Sequence, residues 1–147
     1  MVRITNFVDI DQLSAKLKAE EPKKVVIVSR GTCGIAKGAE KLVKALSEEL
    51  YKSGVSDSVK LRVTGCLGYC DEEPIVIVRP GGFFYPQPKA EDAAEIIQKS
   101  VLGNEPVKRL LMKPGRGKEP ILTENDVPFY KRQQRWLLSA NFELEPT

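Results

Sequence analysis

Two cysteines on a short glycine-bearing loop are the residues of this chain best placed to do chemistry. Cys66 and Cys70 lie in the stretch TGCLGYC, residues 64–70, and a third cysteine, Cys33, lies in the stretch SRGTCG, residues 29–34. Closely spaced thiolates bind soft metals or act as a redox dithiol. We interpret the three cysteines as one site whose fourth ligand is not a cysteine.

The amino-acid composition argues against several classes of function. The chain of 147 residues has no histidine, so it lacks the commonest general base and the commonest nitrogen ligand for metals. Its 41% hydrophobic and 29% charged content is typical of a globular domain, and an interleaved net charge of +3 is too mild for a nucleic-acid-binding protein. Most hydrolytic mechanisms and nucleic-acid recognition are therefore disfavoured.

The chain shows no targeting or membrane pattern. No apolar run approaches the ~18 residues of a membrane span, and the N-terminal stretch has early acids and no apolar core of a signal peptide. We therefore expect a cytoplasmic protein without membrane insertion. In that compartment thiols stay reduced, so the cysteines indicate metal binding or redox chemistry and not structural disulfides.

The hydrophobic pattern predicts alternating helices and strands. Helical spacing covers residues 11–20, 35–51 and 90–102, and strand-like runs cover residues 25–28, 59–63, 74–78 and 83–85. The run at 25–28 is continuous and β-branched, which suits a strand covered on both faces. The order predicts an α/β fold, a thioredoxin-like mixed sheet with flanking helices, followed by an extended C-terminal arm.

Both cysteine loops follow predicted strands, where sites often collect. An iron–sulfur cluster would use the thiolates directly. Zinc fits less well because the spacing is not C-x2-C and no histidine is present. A thioredoxin-type dithiol would favour C-x-x-C at the first helix, and unconnected buried thiols are the remaining alternative. The acids at 71–73 after the second loop are expected to be solvated surface.

The loop motifs resemble a known family. Residues 64–70 followed by acids and by residues 74–78, together with Gly31-Thr32 followed by residues 36–39, resemble the thioredoxin-like [2Fe-2S] ferredoxins. The resemblance implies one [2Fe-2S] cluster on two loops at one end of the fold. Such domains occur in the small subunit of NADH dehydrogenases and at the N-terminus of flavoprotein subunits of NADH dehydrogenases and NAD(P)-reducing hydrogenases. The flavoprotein is the closer match, because residues 106–111 and 129–135 resemble the passage into it.

The first loop departs from the family pattern. The family has C-x4-C there, and alignment on Gly31-Thr32 places Ser29 at the first cysteine position and Gly34 at the second. The resemblance then implies Cys33, Cys66 and Cys70 as cluster ligands, with the Ser29 oxygen as the candidate fourth ligand. An external ligand, a labile cluster or a lost cluster site remain alternatives.

The predicted organisation has three parts: an N-terminal helix at 1–22, the ferredoxin domain at 23–112, and a linker with a partner-docking arm at 113–147. Phe129, Tyr130 and Trp136 in the arm should either pack back on their own domain or be buried against another protein, and we expect a partner. The resemblance implies a flavoprotein subunit that binds FMN and NAD, and other iron–sulfur subunits. The chain itself has no G-x-G-x-x-G nucleotide motif.

The resulting hypothesis is an electron-transfer subunit or domain that carries a [2Fe-2S] cluster within an NAD(P)H-linked oxidoreductase or hydrogenase complex. It would be an electron-carrying component and not a stand-alone enzyme. A docking module with a degenerate cluster site and a thiol–disulfide redox protein are the alternatives. The chain ends at Thr147, where the family would continue, so we expect a shortened subunit or a domain of a longer flavoprotein.

Overall fold

The computed structural model describes residues 6–20, 22–115 and 118–134. Within them a four-stranded mixed sheet has the order β2-β1-β3-β4. The strands are β1 (Lys24–Ser29), β2 (Val59–Thr64), β3 (Ile75–Arg79) and β4 (Phe83–Pro86). Strands β1 and β2 are parallel, whereas β3 pairs antiparallel with both β1 and β4. The predicted mixed sheet is confirmed.

One face of the sheet is covered by helices. After β1 the chain forms α2 (Thr32–Ala36) and α3 (Ala39–Lys52). Residues 90–102 form a second covering helix, which begins with a 3₁₀ turn (Ala90–Asp92), continues as α4 (Ala93–Glu95) and ends as a π-helical segment (Ile96–Leu102). The helix was predicted, but the π-helical geometry of its last segment was not. The core on this face contains the following side chains: Val26, Val28, Leu42, Leu46, Val76, Val78, Tyr85, Ile96 and Ile97.

The other face of the sheet is covered by the C-terminal segment. Ile121 and Val127 are buried there, and the short helix α5 (Pro128–Lys131) lies beside them. The segment is tied to the edge strand by the Phe84 N–H, which donates to the Leu122 carbonyl at 3.0 Å. Both faces of β1 are therefore covered, as its β-branched run predicted.

This packing corrects one expectation about the aromatic residues of the arm. Phe129 and Tyr130 pack against the buried cluster that includes Ile77 and Phe84, so these two side chains contact their own domain. The ring of Tyr130 meets that of Phe84 edge-on at 6.0 Å. The apolar face of the sheet accommodates these two rings. The hydrophobic pattern of the sequence did not predict this contact. Trp136 lies outside the described residues.

The N-terminal helix α1 (Phe7–Glu20) begins earlier than predicted. Asn6 and Asp9 form a reciprocal cap, in which the Asp9 N–H donates to Asn6 Oδ1 at 3.0 Å and the Asn6 N–H donates to Asp9 Oδ2 at 3.2 Å. Such a cap satisfies N–H groups that the first helical turn leaves open. Among the described residues, no helix has both the length and the apolar character needed to cross a membrane.

A buried hydroxyl joins β4 to the chain that follows the last covering helix. Tyr85 Oη lies 2.7 Å from Ser100 Oγ and accepts the N–H of Val107 at 2.9 Å. Ser100 in turn donates to the Glu105 carbonyl at 3.0 Å. Burial is the largest influence on the Tyr85 hydroxyl and raises its pKa above the ordinary value.

We predict that Tyr85→Phe lowers the free energy of unfolding by about 1–3 kcal/mol, because it leaves the buried Val107 N–H without its acceptor. Urea unfolding at neutral pH measures this, with Tyr51→Phe as a control because Tyr51 is 81% exposed. The raised pKa means that the folded protein keeps this proton where an unfolded tyrosine loses it. Stability should therefore fall as pH rises above about 10, and less steeply in Tyr85→Phe. Equal stability of the Tyr85→Phe variant and the wild type would contradict this role.

Candidate functional site

The register of the parallel strands brings the two cysteine loops together. The last aligned pair of β1 and β2 is Ser29 with Thr64, and the Arg30 N–H continues the pairing by donating to the Thr64 carbonyl at 2.8 Å. Because the two strands are parallel, their carboxyl ends lie at the same end of the sheet. Cys33 in α2 and Cys66 after β2 therefore belong to neighbouring loops.

Gly31 lets these loops approach closely. A Cβ atom added at Gly31 would lie 2.9 Å from the Cβ of Cys66, which is closer than real Cβ contacts allow. Its backbone is extended, with φ of −72°, so the need for glycine here comes from the neighbouring loop and not from the backbone conformation. The first loop can hold its present distance from Cys66 only without a side chain at this position.

The three thiols are exposed and none is in a disulfide. The Sγ atoms of Cys66 and Cys70 are 3.9 Å apart. Two thiolates on one tetrahedral metal with metal–sulfur bonds of about 2.3 Å lie about 3.8 Å apart, so this pair has the spacing of two ligands to one metal atom. The Gly68 N–H donates to Cys66 Sγ at 3.3 Å, and Gly68 adopts a φ of +84° that favours glycine.

Cys70 also contacts the thiol of the first loop. Hydrogen bonding with Cys33 and then with Cys66 raises the pKa of the Cys70 thiol to about 11. These contacts place the three thiols together, and their role as cluster ligands stays a prediction.

Within the part of the chain that the structure describes, no group of three or more His, Cys, Asp or Glu side chains is arranged to hold a single metal ion. This arrangement gives no support to the zinc alternative. A binuclear cluster differs because bridging sulfides separate the ligands of its two irons.

Ser29 occupies a different environment from the thiols. Its side chain is fully buried, its Oγ accepts the Ile75 N–H at 2.8 Å, and it is hydrogen-bonded to the Glu73 carboxylate. The hydroxyl of Ser29 thus already has two hydrogen-bond partners. Ligation by Ser29 stays a prediction, and this geometry does not favour it.

Glu73 is the site residue that sequence reasoning missed. Its side chain is fully buried, so the expectation of solvated surface is wrong for this acid. One carboxylate oxygen, Oε2, pairs with Ser29, while the other, Oε1, has no hydrogen-bond partner among the described residues. Burial, the largest influence, raises the pKa of Glu73, although hydrogen bonds from Ser29 and the Leu67 N–H oppose the shift. The signal in the sequence was an acid directly before Pro74 and a strand that is apolar on both faces.

Two further contacts fix the second cysteine loop from outside. The Lys37 ammonium donates to the carbonyls of Cys70 at 3.0 Å and Asp71 at 2.8 Å, which ties the chain after α2 to this loop. Tyr69, between the two cysteines, stacks on Phe129 with ring centroids 4.3 Å apart. The C-terminal segment therefore supports one side of the loop.

We predict that Gly31→Ala lowers the free energy of unfolding by about 1–3 kcal/mol, because the added methyl group forces the two cysteine loops apart. Gly65→Ala is the matched control, since a Cβ at Gly65 meets no atom within 4 Å. Chemical denaturation of both variants measures the difference. An equal loss of unfolding free energy in the two variants would contradict the role of Gly31 in the close approach of the loops.

Comparison with known proteins agrees with this geometry. The sequence profile of the thioredoxin-like [2Fe-2S] ferredoxins matches residues 16–100. A [2Fe-2S] ferredoxin of Clostridium pasteurianum is 37% identical over 81 residues, which cover 55% of this chain and 78% of the ferredoxin. Subunit HndB of the NADP-reducing hydrogenase of Solidesulfovibrio fructosivorans is 28% identical over 118 residues, 76% of this chain and 93% of HndB.

Comparison of the fold with solved structures identifies the same family. The structure of a thioredoxin-like [2Fe-2S] ferredoxin from Aquifex aeolicus superposes with a TM-score of 0.57 at 29% sequence identity, covering 68% of this chain and 97% of the ferredoxin. The three grouped thiols offer three soft ligands, whereas a [2Fe-2S] cluster is commonly held by four cysteines. The chain belongs to the thioredoxin-like [2Fe-2S] ferredoxin family, whose cofactor is a [2Fe-2S] cluster.

Proposed function

We propose that this chain holds a [2Fe-2S] cluster on Cys33, Cys66 and Cys70 and transfers single electrons within an NAD(P)H-linked oxidoreductase or hydrogenase complex. The observation that carries the proposal is the convergence of three unpaired, exposed thiols from two loops at one end of the sheet. When bound, the cluster supplies one-electron redox chemistry. The absence of histidine agrees with this role, because electron transfer needs no general base.

The residues around the thiols suit a site near the surface. The cysteines are exposed, so a partner can approach the cluster closely. Tyr69 and Phe129 cover one side of the loop with stacked rings, and exclusion of water is one of the factors that set a cluster's reduction potential. Lys37 holds the loop carbonyls of Cys70 and Asp71 and keeps a positive charge beside the site.

The place in a larger complex rests on the hydrogenase relative. HndB is named as a subunit of an NADP-reducing hydrogenase, and the similarity covers 93% of HndB. By analogy we propose that this chain works beside a flavoprotein subunit that binds FMN and NAD and beside other iron–sulfur subunits. The proposed docking segment lies in the C-terminal arm, residues 113–147, apart from Phe129 and Tyr130, which pack on their own domain.

A docking role without a cluster is the second candidate. It is favoured by one observation, the buried and hydrogen-bonded state of Ser29, which leaves three exposed thiols and no exposed hydroxyl from that residue. In this alternative the domain keeps its shape and holds neighbouring subunits together. Iron content separates the two candidates.

We predict that the anaerobically reconstituted wild-type chain contains about two iron and two sulfide per chain and shows visible charge-transfer absorption. Cys66→Ser and Cys70→Ser should each lose most of this absorption, because each removes a soft thiolate ligand. Iron, sulfide and absorption are measured together. Ser58→Ala is the control, since Ser58 is exposed next to the start of β2, away from the cysteines. A colourless, iron-free wild-type protein would contradict the proposal and favour the docking module.

A further inference from the structure

We propose that the Glu73 carboxylate is the fourth ligand of the cluster, an oxygen ligand in the place of the missing thiolate. This inference rests on the proposed function, because it takes the cluster on Cys33, Cys66 and Cys70 as its starting point. It assigns to Glu73 the role that the sequence had suggested for Ser29.

The carboxylate lies between the two cysteine loops. The Leu67 N–H, directly after Cys66, lies close enough to the carboxylate to lower its pKa. On the other side, Glu73 Oε2 would lie 2.9 Å from a Cβ added at Gly34, the residue directly after Cys33. The Glu73 N–H donates to the Cys70 carbonyl at 3.4 Å. The carboxylate therefore lies beside the residues that follow Cys66 and Cys33, and the Glu73 backbone is hydrogen-bonded to Cys70.

One oxygen of this carboxylate has no partner. Glu73 is fully buried, and Oε1 makes no hydrogen bond within the described part of the chain, while Oε2 is held by Ser29. A buried acid with an open oxygen is unfavourable unless a cation or a donor compensates it. The cationic groups acting on Glu73 include Lys37, whose ammonium is already engaged by two loop carbonyls. A bound iron would supply the missing positive charge.

The chemistry of iron permits this ligand. Carboxylates coordinate iron in di-iron and non-haem iron proteins, and a carboxylate carries the same charge as the thiolate it would replace. A serine hydroxyl must instead lose its proton to become an anionic ligand. The site would then consist of three sulfurs and one oxygen.

Ser29 takes a supporting role in this arrangement. Its Oγ accepts the Ile75 N–H at 2.8 Å and is hydrogen-bonded to Glu73 Oε2, so it fixes the orientation of the carboxylate. Gly34 completes the fit. A cysteine at Gly34, which is the family's second cysteine position in the alignment above, would bring its Cβ to 2.9 Å from Glu73 Oε2. Glu73 therefore fills the space that a thiol at position 34 would need.

The test compares four full-length proteins, each reconstituted anaerobically with ⁵⁷Fe: the wild type, Glu73→Gln, Glu72→Gln and Ser29→Ala. Glu72 is the matched control because it is the adjacent acid and only partly buried. Mössbauer spectra of the oxidised clusters report whether the two irons have the same donor atoms. A chelator challenge measures the half-life of the cluster, and urea unfolding of the iron-free proteins measures the effect on the fold.

The wild type should show two unequal iron sites, one of them with an oxygen donor. Glu73→Gln should lose this unequal site or shorten the half-life of the cluster about tenfold or more, since a neutral amide is a weak iron ligand. Glu72→Gln should keep the unequal site and the wild-type half-life. Ser29→Ala should keep the unequal site but with a shorter half-life, because it loses the hydroxyl that orients the carboxylate. Iron-free Glu73→Gln should be no less stable than iron-free wild type.

Three results would overturn the inference while leaving the proposed function intact. They are a wild-type cluster with two equal, sulfur-only irons, a Glu73→Gln protein with the wild-type spectrum and half-life, and loss of the unequal site in Ser29→Ala but not in Glu73→Gln. The first needs no variant and so does not depend on whether Glu73→Gln folds. A wild type that binds no iron would instead overturn the proposed function and this inference with it.

Discussion

The parallel pairing of β1 with β2 is the constraint on which the site depends. It ends at Ser29 and Thr64, and the Arg30 N–H extends it by one bond to the Thr64 carbonyl. A shift of one residue would turn the side chains of a strand to the opposite face. Because the pairing is fixed by a core on both faces of β1, the first loop meets Cys66 at the distance that only glycine at position 31 allows.

The C-terminal segment links the core to the site. It covers the second face of the sheet through Ile121 and Val127, and it reaches the cysteine loop where Phe129 stacks on Tyr69. The same segment therefore buries apolar area of the sheet and packs against the loop that carries two of the thiols. A displacement of this segment would also change the surroundings of Cys66 and Cys70.

Much of the fold followed from the sequence because its signals are local. The β-branched run at 25–28 and the leucine stripe of α3 predicted a covered strand and a packed helix, and the cysteine loops were placed correctly after β1 and β2. The buried Glu73 and Ser29 could not be placed in this way. Their pairing joins residues 44 positions apart, and a hydroxyl or an acid at a strand end is normally a surface residue. The packing of Phe129 on Tyr69 likewise depends on tertiary contacts that periodicity does not encode.

The central claim is that this domain carries an electron on a cluster held by three cysteines. The most direct measurement is the electron paramagnetic resonance spectrum of the anaerobically reconstituted, dithionite-reduced wild-type chain, together with its iron content. The account predicts about one unpaired electron for about two iron atoms per chain. A reduced protein with no such signal and no bound iron would contradict it.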